Sequence, residues 1–214
     1  SVDPVFPNLF RFNYDLTIDV ELAEAIHDQA KSEGMSVKMM TNPDFRVDYG
    51  TIVSCHMVRP EWDKPIVSIS SNRSLSYYSV EVMQEMMIEL GKSTARAIEE
   101  SGKKCLLIAS NSLSHRHFVT ETNPPEDMSK EHITSHAMHL WDMRMIEMMR
   151  QGKSQQIINE MPEFCEQAIA ETDGGALTWL LSAMGVPSEP AILHGYGTII
   201  GTGNAIMEWP CRNW

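Results

Sequence analysis

The run Ser110-Asn111-Ser112-Leu113-Ser114 leads into His115-Arg116-His117-Phe118. It follows directly on Cys105 to Ala109, C-L-L-I-A, an apolar run of the type that forms a buried strand. Residues just beyond the carboxyl ends of strands line the ligand crevice of α/β folds. An imidazole titrates near neutrality, so a histidine placed there can act as a general acid or base. His115 is the first candidate and His117 the second; the plainer alternative is a solvated loop histidine. His132, His136 and His139 would share one helix face. Two imidazoles so spaced could hold a metal, but H-x-x-x-H without the glutamate of a zincin is weak, and a polar helix face is the simpler reading. Glu171 precedes Thr172-Asp173-Gly174-Gly175, a glycine-rich helix entry. A carboxylate there is either a partner of the helix dipole or a metal ligand, and the residues leave both open. Gly195 to Gly203 has the wrong glycine spacing for a dinucleotide loop and no helix after it, so it reads as a glycine-rich hairpin or a substrate-facing loop.

The elements that must position these groups follow from periodicity. Helices are expected over Asp15 to Gly34, with Thr17 and Asp19 as caps, and over Tyr78 to Ser101, Ser129 to Gln151, Ser154 to Glu160, Glu163 to Ala170 and Ala176 to Met184. Strands are expected at Met35 to Met40, Pro65 to Ser70 and Cys105 to Ala109. A strand, turn and strand are expected over Ala191 to Trp209. Strands alternating with long helical crossovers indicate an α/β fold, a central mixed sheet flanked by helices. No repeat or low-complexity linker divides the 214 residues, so residues 1–214 read as a single domain.

Composition narrows the function. The formal charge of −12 repels phosphate backbones and argues against nucleic acid as a partner. No apolar run approaches the roughly 18 residues of a membrane span. No leader pattern is visible, and four cysteines without a C-x-x-C pair read as reduced thiols, so a cytoplasmic location is expected. The 16 methionines read as core packing. The opening, Ser1-Val2-Asp3-Pro4 followed by Phe6-Pro7-Asn8-Leu9-Phe10, resembles the interior of a domain.

Taken together, Ser112-Leu113-Ser114-His115-Arg116-His117-Phe118, Trp141-Asp142-Met143-Arg144 with Ile146 and Gly152, Ala170 to Trp179, and His194 to Trp209 resemble the class III extradiol ring-cleaving dioxygenases over nearly the whole chain. The likeness is greatest to members that open 2-aminophenol. The resemblance implies that His115 is the acid/base residue and Glu171 a ligand of Fe(II), held in a two-histidine, one-carboxylate site. It implies that Tyr49, in Asp48-Tyr49-Gly50 where many relatives have D-H-G, contacts the substrate. Both iron-binding histidines would lie upstream of Ser1, in a stretch of roughly 80 residues carrying the first strands of the α/β sheet. The reaction implied is insertion of both atoms of O2 into 2-aminophenol or a close catechol analogue, giving a ring-opened muconic semialdehyde. The partner implied is a homologous α subunit in a heterotetramer. Two other readings stand beside it: a non-catalytic scaffold subunit of such an enzyme, and a zinc protein of the same fold.

Overall fold

A computed structural model describes residues 16–42, 44, 47–70, 78–116 and 132–210. Among them the chain forms six α-helices, one short 3-10 turn and a two-stranded antiparallel sheet, a mixed α/β fold as expected. The chain divides into two units: residues 1–70 with 92–110, and residues 71–91 with 111–214. His117, the Pro124-Pro125 break and the aromatic opening lie outside the described residues.

In the first unit, α1 (Val20–Ser32) starts where Asp19 accepts the Leu22 N–H at 3.0 Å. Of the two expected caps, Asp19 is the one used. Leu22 and Ile26 of α1 meet Ala97 of α3 (Val80–Ser101), with Val67, Ile69 and Ile98 packed around them. Glu33, which ends α1, accepts from Arg96 through Nε at 2.7 Å and from the Ser93 hydroxyl. α2 (Tyr49–Val58) was not expected, because its β-branched residues show no helical stripe. It forms behind an N-cap, Asp48, which accepts both the N–H and the hydroxyl of Thr51 at 3.0 Å.

The second unit holds the larger core. α4 (His136–Arg150) packs on α5 (Ser154–Ala168) through Met145, Met149, Ile157, Met161 and Phe164. The buried methionines fill this core as expected. α4 begins seven residues later than expected: Ser135 caps it by accepting the Met138 N–H. α5 runs through Pro162 as one helix where two were expected. A proline inside a helix costs one backbone hydrogen bond. The apolar stripe on both sides of Pro162 is buried as one surface, and its burial offsets that loss. α6 (Gly175–Ala183) follows the 3-10 turn Glu171–Gly174.

β1 (Ile192–Ile199) and β2 (Thr202–Glu208) form the expected hairpin. Its two-residue turn, Ile200-Gly201, has positive φ at both positions, +50° and +79°, as the tight turn between twisted strands requires. The other expected strands form no ladder among the described residues. Ile66 makes only an isolated parallel bridge to Ile18. Cys105 to Ala109, expected to be buried, leaves Leu106 63% exposed. An apolar run becomes a strand only where a neighbour supplies the other half of the ladder, and none is present among the described residues.

Candidate active site

Residues 112–115 are held from two sides, and this places the chemistry. On one side, Leu113 N–H donates to the Gly203 carbonyl at 2.7 Å and Gly203 N–H donates back to Ser114 at 3.1 Å. On the other, His115 N–H donates to Ile169 at 3.0 Å and Glu171 N–H to Leu113 at 3.2 Å, around an antiparallel bridge from Ser114 to Ala170. This pairing puts His115 and Glu171 on adjacent stretches of backbone. Their side chains converge, His115 Nε2 lying 3.7 Å from Glu171 Oε1. Both are partly accessible, at 29% and 24% of their side-chain surface, so a small molecule can reach them. The other Glu171 oxygen accepts the Ser112 N–H, and the Ser112 hydroxyl donates to Asn204 at 3.0 Å. The sequence brought these two residues into view separately; the structure brings them together.

The Glu171 turn is a strained piece of backbone. Ile169, Thr172 and Asp173 all have φ near +50°, and Gly174 has φ of +68°. Non-glycine residues persist in that region only where the surroundings overdetermine them. Here Gln84 of α3 supplies part of the restraint. Its side-chain amide donates to the Asp173 carbonyl at 2.5 Å, and its oxygen accepts from the Thr178 hydroxyl, all of it buried. Met161 closes against Gly174, where any Cβ would collide with its sulfur.

Beneath Ser114 lies Asp142 of α4, fully buried. Its carboxylate accepts the Ser114 N–H, the Ser114 hydroxyl and the Tyr196 hydroxyl, each at 2.8 Å. Burial pushes the Asp142 carboxyl above the usual range, opposed by those bonds. Burial, and then the bond to Asp142, push the Tyr196 phenol well above its ordinary value. Gly203 is needed beside this carboxylate, because a Cβ there would run into it. Asp142, Tyr196 and Gln84 were not singled out from sequence as functional. The signal was present for Asp142: a lone carboxylate on the stripe of Met138, Met145, Ile146 and Met149.

Tyr49 belongs to the first unit, in the opening turn of α2. The next residue, Gly50, offers its carbonyl to the Ser110 hydroxyl at 3.4 Å, and a Cβ there would press on Ser110 and Asp48. The turn bearing Tyr49 is thereby tied to the start of the Ser/Asn run. His132 precedes α4, so the three-histidine helix face does not form; His139 instead meets Tyr196 at 3.3 Å. His194 pairs across the hairpin with Glu208 at 2.6 Å. Among the described residues no three His, Cys, Asp or Glu side chains are grouped to hold a metal. Glu171 alone does not make an iron site, since a two-histidine, one-carboxylate centre needs two further ligands.

Among the described residues, no helix is long and apolar enough to cross a membrane. Residues 6–206 match the family model described as the catalytic LigB subunit of aromatic ring-opening dioxygenase. The chain is 55% identical over 209 residues to the β subunit of 2-aminophenol 1,6-dioxygenase from a Pseudomonas species, covering 98% of this chain and 68% of that one. It is 27% identical over 197 residues to the α subunit of 2-aminophenol 1,6-dioxygenase, also from a Pseudomonas species, covering 92% and 69%. To 3,4-dihydroxyphenylacetate 2,3-dioxygenase of Escherichia coli it is 26% identical over 182 residues, covering 85% and 62%. Matched almost from end to end by that family model, the protein is a member of the catalytic LigB family of aromatic ring-opening dioxygenases.

Proposed function

We propose that this chain is the ring-opening subunit of a dioxygenase acting on 2-aminophenol or a close catechol analogue. The observation that carries the reading is the convergence of His115 and Glu171, at 3.7 Å, in a chain so similar to a 2-aminophenol 1,6-dioxygenase β subunit. Both atoms of O2 enter the product. The ring carbon–carbon bond breaks, one carbon becoming a carboxylate and the other an aldehyde, so no outside reductant is consumed.

His115 takes a proton from the substrate hydroxyl and returns one later; an imidazole can both accept and donate one. The backbone bonds at residues 113–115 hold it in place, so the proton transfer needs no reorganisation of the loop. Tyr49 offers a phenolic hydroxyl to the ring substituents. It can donate or accept a hydrogen bond. Glu171 is the carboxylate offered to Fe(II), its direction set by the Ser112 N–H. Two histidines would complete the site with Glu171, and the ion, when bound, would supply open positions for the ring substrate and O2. The chain works with a homologous α subunit in a heterotetramer, in the cytoplasm; the α and β subunit names of two relatives support the pairing.

Oxygen uptake by the full-length protein with its partner and Fe(II) tests the reading. The panel is 2-aminophenol, catechol and their ring carboxylates. Uptake of one O2 per ring opened, fastest with 2-aminophenol, is the expected result. No uptake with any of them would return the chain to the scaffold reading, and activity restored by zinc alone would favour the zinc protein.

A further inference from the structure

We propose that Asp142 is the positioning residue of the His115 segment: from the buried face of α4 its carboxylate fixes Ser114 at both the backbone N–H and the hydroxyl, and so sets the direction in which His115 leaves toward Glu171. This rests on His115 being the proton-handling group.

The geometry is unusually complete for a side chain outside the site. Asp142 is fully buried in a methionine-rich core, where an ionised carboxylate is costly unless every oxygen is satisfied. All three of its bonds are 2.8 Å long, and two of them go to the same residue, Ser114. Ser114 immediately precedes His115 and pairs with Ala170, which immediately precedes Glu171. One carboxylate therefore clamps the residue that sits between both candidate groups. A core serving stability alone is generally as well served by apolar residues of similar volume. The third donor, Tyr196, comes from β1 and shares one Asp142 oxygen with the Ser114 hydroxyl.

A double-mutant cycle on the full-length enzyme with its partner and Fe(II) tests this, reading kcat, KM and melting temperature with 2-aminophenol. Asp142→Asn is expected to lower kcat about 10- to 100-fold, the scale of a small misplacement of a catalytic group, with KM little changed. In a His115→Ala background the same substitution should cost less than about twofold, because there is no longer an imidazole to position. Ser114→Ala, which keeps the backbone bond, should show a smaller loss of the same non-additive kind, and it carries the test if Asp142→Asn does not fold. Equal kcat losses from Asp142→Asn in both backgrounds would overturn the positioning role while leaving His115 in place. Full turnover by His115→Ala itself would overturn both the positioning role and the reading beneath it.

Discussion

His115 and Glu171 divide the work that can be asked of single side chains. If His115 moves protons, His115→Ala should lower turnover about 10²–10⁴-fold, the usual range for a lost general acid/base. Substrate Kd and melting temperature should hold, because its backbone bond to Ile169 is untouched. A matching loss of binding or stability would make His115 a residue that merely pins the loop. Glu171→Ala should abolish iron retention and leave a folded protein. Near-stoichiometric iron in that variant would remove Glu171 from the ligand set. Of these two residues, His115 was the easier to pick out in sequence, since a polar run after an apolar one marks a loop. Glu171 was ambiguous, because its meaning depends on a neighbour 56 positions back along the chain, with which it forms the 3.7 Å pair. Asp142 showed in sequence only as a lone carboxylate on an apolar stripe, because the partners that explain it stand 28 and 54 residues away.

Elements hold these side chains at a cost in backbone strain, and the Glu171 turn is where the cost concentrates. Gly174→Ala adds a Cβ at φ +68° against the Met161 sulfur. It should destabilise the full-length protein by about 1–3 kcal/mol, as overpacking and left-handed strain each do. Thermal or urea unfolding would measure it, and an unchanged midpoint would show that the turn relaxes freely. A second element-scale test concerns α1 and α3. Hydrogen bonds from Arg96, then Ser93 and Gln29, lower the Glu33 carboxyl from its ordinary 4.5 to about 2. A carboxyl depressed on folding contributes stability above its unfolded pKa and loses that contribution as pH falls toward its folded one. The protein should therefore lose stability between about pH 4.5 and pH 2, and Arg96→Met should flatten that limb. An identical acid limb in the variant would show that the pair contributes nothing. Helices α1, α3 and α6 were readable because a 3.6-residue stripe is a local property. α2 and the continuity of α5 were not. The first depends on one capping aspartate, and the second on a core surface that outweighs a proline.

At the scale of the molecule, the proposed iron site and the proposed subunit pairing both reach beyond these 214 residues. Fe(II) added to them alone should bind weakly and support negligible turnover, because one carboxylate is a poor site for a divalent transition metal. Appreciable ring cleavage by the isolated 214 residues would overturn the ligand assignment. Co-expression with a homologous α subunit should give one heteromeric species by light scattering; two separate homomers would count against the pairing. Some properties were decided by sequence alone. The −12 formal charge is one of them. The hydrophobic stripes place three of its helices, and the glycine-rich closing segment reads as a hairpin. These are composition and local spacing, which do not depend on what the rest of the chain does. Only the tertiary structure decided that the segment after Ala109 is clamped between β2 and the Glu171 turn, that His115 meets Glu171, and that a carboxylate buried in α4 secures the residue between them. Each of those is a contact between positions far apart in the chain, and only the packing of a common core selects which distant groups become neighbours.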